Sequence, residues 1–136
     1  ERLKLQKYIS YIIPVKVLLP AVGQGALGIE INEKNELVNE ILQSIHDEPT
    51  YQAVLTERTL LKTLQGGCQV PIGAYAEVKA NGIYLEAVVG SVDGVVSFRK
   101  KGRGSKNNPV KLGRDLANDL LNAGAGEILE EIYTSA

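Results

Sequence analysis

Two turn pairs, Asn81-Gly82 and Asp93-Gly94, separate three runs rich in Val, Ile and Tyr, and no other feature restricts the fold so strongly. Asn-Gly and Asp-Gly reach the positive backbone angles of tight hairpins, so Ile72 to Ala80, Ile83 to Ser91 and Val95 to Lys101 read as an antiparallel meander. Helical patterns flank it. Asp47, Glu48 and Pro49 form a helix start, followed by Tyr51, Val54, Leu55, Leu61 and Leu64 as its apolar face, with Gly66 as a left-handed stop. Arg58 on that face reads as a salt-bridged or stem-packed side chain. After a polar loop from Gly102 to Pro109, Leu112, Leu116, Leu120 and Leu121 mark a last helix that breaks near Gly124 and resumes over Ile128, Leu129 and Ile132.

The first 46 residues have a different texture. Leu3, Leu5, Ile9, Ile12 and Ile13 suit one side of a helix ending before Pro14, and Val15 to Leu19 suits a short buried strand. Gly23, Gln24, Gly25, Ala26, Leu27 and Gly28 make a glycine-rich turn leading to a strand over Ile29 to Ile31. Asn32 and Asn35 are candidate caps for an amphipathic helix carrying Leu37, Val38, Ile41, Leu42 and Ile45. The expected fold class is α+β: a C-terminal unit of helix, three-stranded antiparallel sheet and helix over 47–136, preceded over 1–46 by the end of an α/β domain.

With 136 residues, 44% hydrophobic, the chain has material for one core or one core plus a smaller piece. Fifteen basic against sixteen acidic side chains give a formal charge of -1, hence no general field for nucleic acid or an anionic membrane. Arg99, Lys100, Lys101, Arg103 and Lys106 cluster, but Phe98 is the one aromatic beside them, and lysine commonly guards a sheet edge. The longest apolar stretch, 9–26, is interrupted by Ser10, Pro14, Lys16 and Pro20, so no membrane span or signal peptide is expected, and a cytoplasmic location is the default. A chain that opens on Glu1 in mid-pattern and contains no methionine reads as a fragment or processed product.

Chemistry concentrates at few positions. Gly23 to Gly28 matches G-x-G-x-x-G, yet a nucleotide site needs a helix to begin at the glycines, and Ile29-Glu30-Ile31 is strand-like. His46 closes a helix and has no neighbouring metal-ligand set, so no metal is expected. Cys68, the single cysteine, follows Gly66 and Gly67, which leave room for an approaching group. Two readings stand: a packed core thiol in a non-catalytic binding domain, or an attachment point. The helix before it directs its C-terminus toward Cys68, which disfavours thiolate, so a thiol that reacts once and stays bonded suits the setting better than a turnover nucleophile.

LPAVGQGALGIE, from Leu19 to Glu30, with ERTLLKTLQGGCQVPIGAYA, from Glu57 to Ala76, resembles the porphobilinogen deaminase family, also called hydroxymethylbilane synthase. The resemblance extends over essentially the whole chain and covers the C-terminal part of a three-domain enzyme, with 1–46 as the end of the second domain and 47–136 as the third. It implies that Cys68, beside Gly67, carries a dipyrromethane cofactor through a thioether. It implies a reaction in which porphobilinogen loses ammonia and four units extend a pyrrole chain, released by hydrolysis as a linear tetrapyrrole. Family arginines bind acetate and propionate groups, a role that falls on Arg2, with Lys4 standing where the family has glycine; Gln24 and Gly25 would line the cleft. No catalytic residue is assigned within the chain. It is expected to be inactive alone, with the missing N-terminal domains as partner and the full-length enzyme a monomer.

Overall fold

A computed structural model describes residues 2–67 and 70–135. Helix α1 spans Glu36–Gln43, α2 Glu48–Thr63, α3 Pro109–Leu120 and α4 Gly126–Ser135; strands β1 Ile72–Lys79, β2 Gly82–Gly90 and β3 Ser97–Gly104 form one antiparallel sheet in the order β1-β2-β3. The fold is α+β, as the sequence led us to expect. Among the described residues no helix is long and apolar enough to cross a membrane.

Alternation along the strands decides which face is covered. Ile83, Leu85, Ala87 and Val89 of β2 are buried, together with Ala74 and Ala76 of β1, and they meet Leu60 of α2, Leu64 at its C-terminal end, and Leu112, Leu116 and Leu120 of α3. Tyr84, Glu86 and Val88 point the other way, where the basic cluster is largely spent. Arg99 and Lys101 bind Glu86 at 2.7 and 3.1 Å, and Arg103 donates to the Asn81 carbonyl at 2.6 Å while its guanidinium lies 5.5 Å from the Tyr84 ring centre. Strand β3 runs on to Gly104, beyond the expected end at Lys101, because Leu85 and Ile83 pair with Gly102 and Gly104. A Cβ on Gly104 would lie 2.9 Å from Leu112 Cβ, so these glycines bring α3 down onto the strand.

Two of the caps follow the sequence reading, Asp47 and Asn35, and Asn108, which that reading left in the polar loop, is a third. Asp47 accepts the Thr50 N–H at 2.8 Å, Asn35 that of Val38 at 3.2 Å and Asn108 that of Lys111 at 3.0 Å. The end of α2 corrects the sequence reading. The left-handed residue is Gln65 (φ 54°), one position before Gly66, with Gln65 N–H bonded to Lys62 O and Gly66 N–H to Leu61 O. Gly66 is required for space: a Cβ there would sit 2.6 Å from both Ile72 Cδ1 and Leu61 Cδ1. The inward face of α2 is Thr56, Glu57, Leu60 and Leu64, leaving Tyr51 and Arg58 exposed. The last helix breaks where expected, at Gly124 (φ 113°), onto which Phe98 packs.

The N-terminal expectations fare differently. In place of a helix up to Ile13 there is a single 3-10 turn, Gln6–Tyr8, with Lys4 at φ 53° and Leu3, Ile9, Ile12 and Ile13 exposed. Short helices are marginal without a surface to pack on, and this stripe meets none. Neither Val15 to Leu19 nor Ile29 to Ile31 is a strand. Val17 and Leu18 donate instead to the Pro14 carbonyl in a turn. A strand needs a neighbour's ladder, and the sheet offers none to these segments. Helix α1 forms on its cap, with Leu37 and Ile41 exposed.

Candidate functional site: the glycine turn, a buried glutamate and the end of helix α2

Strand β1 has one edge paired with β2 and one edge free of strand partners. Residues 19–25 lie along that free edge. Leu19 is buried against Gly73, where a Cβ would stand 3.1 Å from Leu19 Cβ, and the Pro20 carbonyl accepts the Ala74 N–H at 3.0 Å. Val22 packs against the core. The chain then turns sharply, Gly23 at φ 70° and Gly25 at φ 84°, with Gln24 N–H bonded to Ala21 O and Ala26 N–H to Gly23 O. Those positive angles call for glycine at both positions.

Glu57 closes the arrangement. Its side chain enters from α2 with 5% of the residue exposed, and its two oxygens reach different partners: Oε2 accepts the Gly23 N–H at 2.8 Å and Oε1 the Ala76 N–H at 2.6 Å. No lysine, arginine or histidine nitrogen lies within 4 Å of this carboxylate among the described residues. Burial raises its pKa above the ordinary glutamate value, with the Gly23 and Ala76 N–H groups pulling the other way. The sequence reading missed Glu57. The signal was present in the stripe Ala53, Glu57, Leu60 and Leu64, which puts an acid among core positions and so demands hydrogen-bond partners for it.

Of the residues singled out from sequence, Gln24 and Gly25 share this turn and are exposed, and no atom lies within 4 Å of a Cβ position on Gly25. Gly67 is likewise exposed, with open space about its Cβ position. It follows the fixed end of α2, where the Tyr133 hydroxyl donates to the Gln65 carbonyl, and it accepts the N–H of buried Val70 at 3.3 Å. Cys68 lies outside the described residues. Arg2 lines a shallow depression of about 330 Å³ with its own neighbours Leu3, Leu5, Gln6 and Ile9. A larger open groove, about 590 Å³, lies between the β1–β2 turn and the loop after β3 and holds none of the expected site residues. No helix starts at the glycines. Because α1 begins only at Glu36, the G-x-G-x-x-G match lacks the N-terminal N–H groups that a pyrophosphate requires.

Comparison with known proteins matches both segments to one family. The family model described as "Porphobilinogen deaminase, C-terminal domain" matches residues 51–122, and "Porphobilinogen deaminase, dipyromethane cofactor binding domain" matches residues 1–40. Similar relatives include the porphobilinogen deaminases of Carboxydothermus hydrogenoformans, 43% identical over all of this chain and 44% of that protein, and of Desulforudis audaxviator, 47% identical over 99% of this chain and 44% of that protein. That of Prochlorococcus marinus (strain NATL1A) is 46% identical over 100% of this chain and 43% of its own length, so the chain spans less than half of the curated relatives it matches. With one family model covering more than half of its residues, and with both motif segments joined through Glu57, the chain belongs to the porphobilinogen deaminase family.

Proposed function

We propose that this chain is the C-terminal part of a hydroxymethylbilane synthase, which condenses four porphobilinogen units into a linear tetrapyrrole with release of ammonia. In this reading residues 1–46 end the second domain, 47–136 form the third, and the whole protein works in the cytoplasm as a monomer. The observation that carries it is the contact between the two family segments. Gly23 of LPAVGQGALGIE donates to Glu57 at the start of ERTLLKTLQGGCQVPIGAYA, and Ala76 at its end donates to the same carboxylate. Two stretches that resemble the family thus meet in one place.

The residues present suit a tethered dipyrromethane. Gly67 offers an open Cβ position beside Cys68, while the end of α2 immediately before it is held by the Leu61, Lys62 and Gln65 carbonyl bonds. Once bound through a Cys68 thioether, the group supplies a pyrrole carbon nucleophile to which substrate units are added. The protein's part is positional. Gln24 and Gly25 face outward from the clasped turn, where an amide and open backbone can meet pyrrole N–H and side-chain groups; Arg2 would supply a guanidinium for substrate carboxylates. Within this chain Glu57 is held by two N–H groups and sits apart from solvent, which leaves it unsuited to shuttling protons.

Intact mass tests the reading. A full-length protein carrying this chain is expected to be heavier by two pyrrole units and to release ammonia from porphobilinogen, with both properties lost in Cys68→Ser. The 136-residue chain alone is expected to show neither. A full-length parent that releases no ammonia and carries no added mass would instead support a packed thiol in a non-catalytic domain.

A further inference from the structure

Glu57 is a buried carboxylate with no cation beside it among the described residues, and it accepts backbone N–H groups of two different segments. A core position filled by Leu would exclude water as well and avoid desolvating a charge. What Leu cannot do is accept two N–H groups that point into the same space. Ala76 N–H lies on the free edge of β1, and Gly23 N–H belongs to the turn laid against it, so the carboxylate stands where a neighbouring strand would have supplied carbonyls.

We propose that Glu57 is a positioning residue for substrate binding, acting through the Gly23–Gly25 turn rather than on the substrate itself. The inference rests on the reading that Gln24 and Gly25 line the porphobilinogen cleft. The turn is held upstream by Leu19, Pro20 and Val22; downstream of Gly25 the chain from Leu27 to Ile31 has no strand or helix to hold it. Gly23 is therefore the last fixed point before Gln24, and the bond that fixes it is the one its N–H donates to Glu57. Release of that bond leaves Gln24 attached to the Ala21 carbonyl alone on its N-terminal side.

Glu57→Gln separates the two bonds without changing side-chain length. Its amide has an acceptor oxygen at only one of the two positions that the carboxylate oxygens occupy, and the NH2 group faces the other N–H. The Ala76 bond is fully buried and the Gly23 bond partly so, hence an unpaired Ala76 N–H costs more and the amide keeps Ala76. Gly23 is released.

The test compares the full-length protein with its Glu57→Gln and Val89→Ala variants, the latter trimming a fully buried β2 side chain remote in sequence from the turn. In Glu57→Gln the KM for porphobilinogen is expected to rise roughly tenfold, the size of one lost hydrogen bond to a charged acceptor. Its kcat per folded molecule and its two-pyrrole mass stay unchanged. Amide exchange at Gly23 accelerates while the β2 amides stay protected. Val89→Ala lowers stability and leaves KM alone. An unchanged KM in Glu57→Gln, an equal rise in Val89→Ala, or continued protection of Gly23 in Glu57→Gln would overturn the proposal. If the parent protein neither releases ammonia nor carries the added mass, the functional reading fails, and the clasp of Glu57 on the turn is then decided by the exchange result alone.

Discussion

Glu57 and Glu86 are two carboxylates in one small domain with opposite electrostatic settings. Burial raises the Glu57 pKa, and its two N–H partners only partly oppose the rise. Burial also pushes Glu86 up, but the hydrogen bonds and charges of Arg99 and Lys101 outweigh it and leave that pKa lowered. The consequences for stability run in opposite directions. Between the ordinary glutamate pKa and the raised one, folded Glu57 keeps a proton that the unfolded chain releases, so its contribution to stability falls as pH rises through that window. For Glu86 the contribution is present above the unfolded pKa and is lost as pH falls through the lowered folded value. Urea midpoints measured across the carboxylate range are expected to show the parent's margin over Glu57→Gln shrinking with rising pH. Its margin over Glu86→Gln should grow with rising pH. Parallel profiles for the two variants would contradict these assignments.

At the scale of elements, close helix packing governs what can be changed. A Cβ on Gly113 of α3 would collide with the Thr56 carbonyl and lie 3.1 Å from the Leu60 N of α2, so the two helices touch backbone to backbone. Gly113→Ala is expected to force them apart and lower stability by about 1–3 kcal/mol, read from urea unfolding, even though alanine favours an isolated helix. A stabilised variant would show that the close approach is dispensable. This distinction explains which elements were legible in the sequence. Caps, hairpin turns and the α3 stripe are set by neighbours in the chain, and Asp47, Asn35, Gly94 and Leu112-Leu116-Leu120 were read from them directly. Gln65 in the left-handed position was hidden because Gly66 is the obvious candidate, yet Gly66 is needed for contact with Ile72, a tertiary demand. Val15 to Leu19 and Ile29 to Ile31 have strand-like composition, but a strand exists only where another strand receives it. The site was half legible: its glycines announced a turn, whereas Glu57 looked like one more helix-surface acid until its partners, 34 and 19 residues away, were placed.

Across the whole molecule, apolar side chains divide unevenly. The sheet and its helices enclose a single core, while Leu3, Ile12, Leu27, Leu37 and Ile45 before residue 47 stand exposed. The sheet also guards its two edges by different means. On β3, Lys100 pairs with inward-facing Ala87, which places a charge on the covered side of an edge strand; on β1 the guard is the segment 19–25 together with Glu57. A charge built into a strand cannot leave it, but a docked segment can. The Gly23 bond joins parts of the chain far apart in sequence and requires α2 already in place, so it should be among the last contacts to close and the first to open. Native-state hydrogen exchange is expected to show Gly23, Ala74 and Ala76 opening at lower denaturant than Leu85 and Ala87, whereas a common opening free energy for all five would refute a separate step. A molecule so opened keeps its core yet bares the Ala74 and Ala76 N–H groups in a row. The same turn that presents Gln24 therefore also stands between the ordered fold and strand-to-strand self-association, and solubility near the midpoint of that first opening should be set by this turn before the rest of the sheet yields.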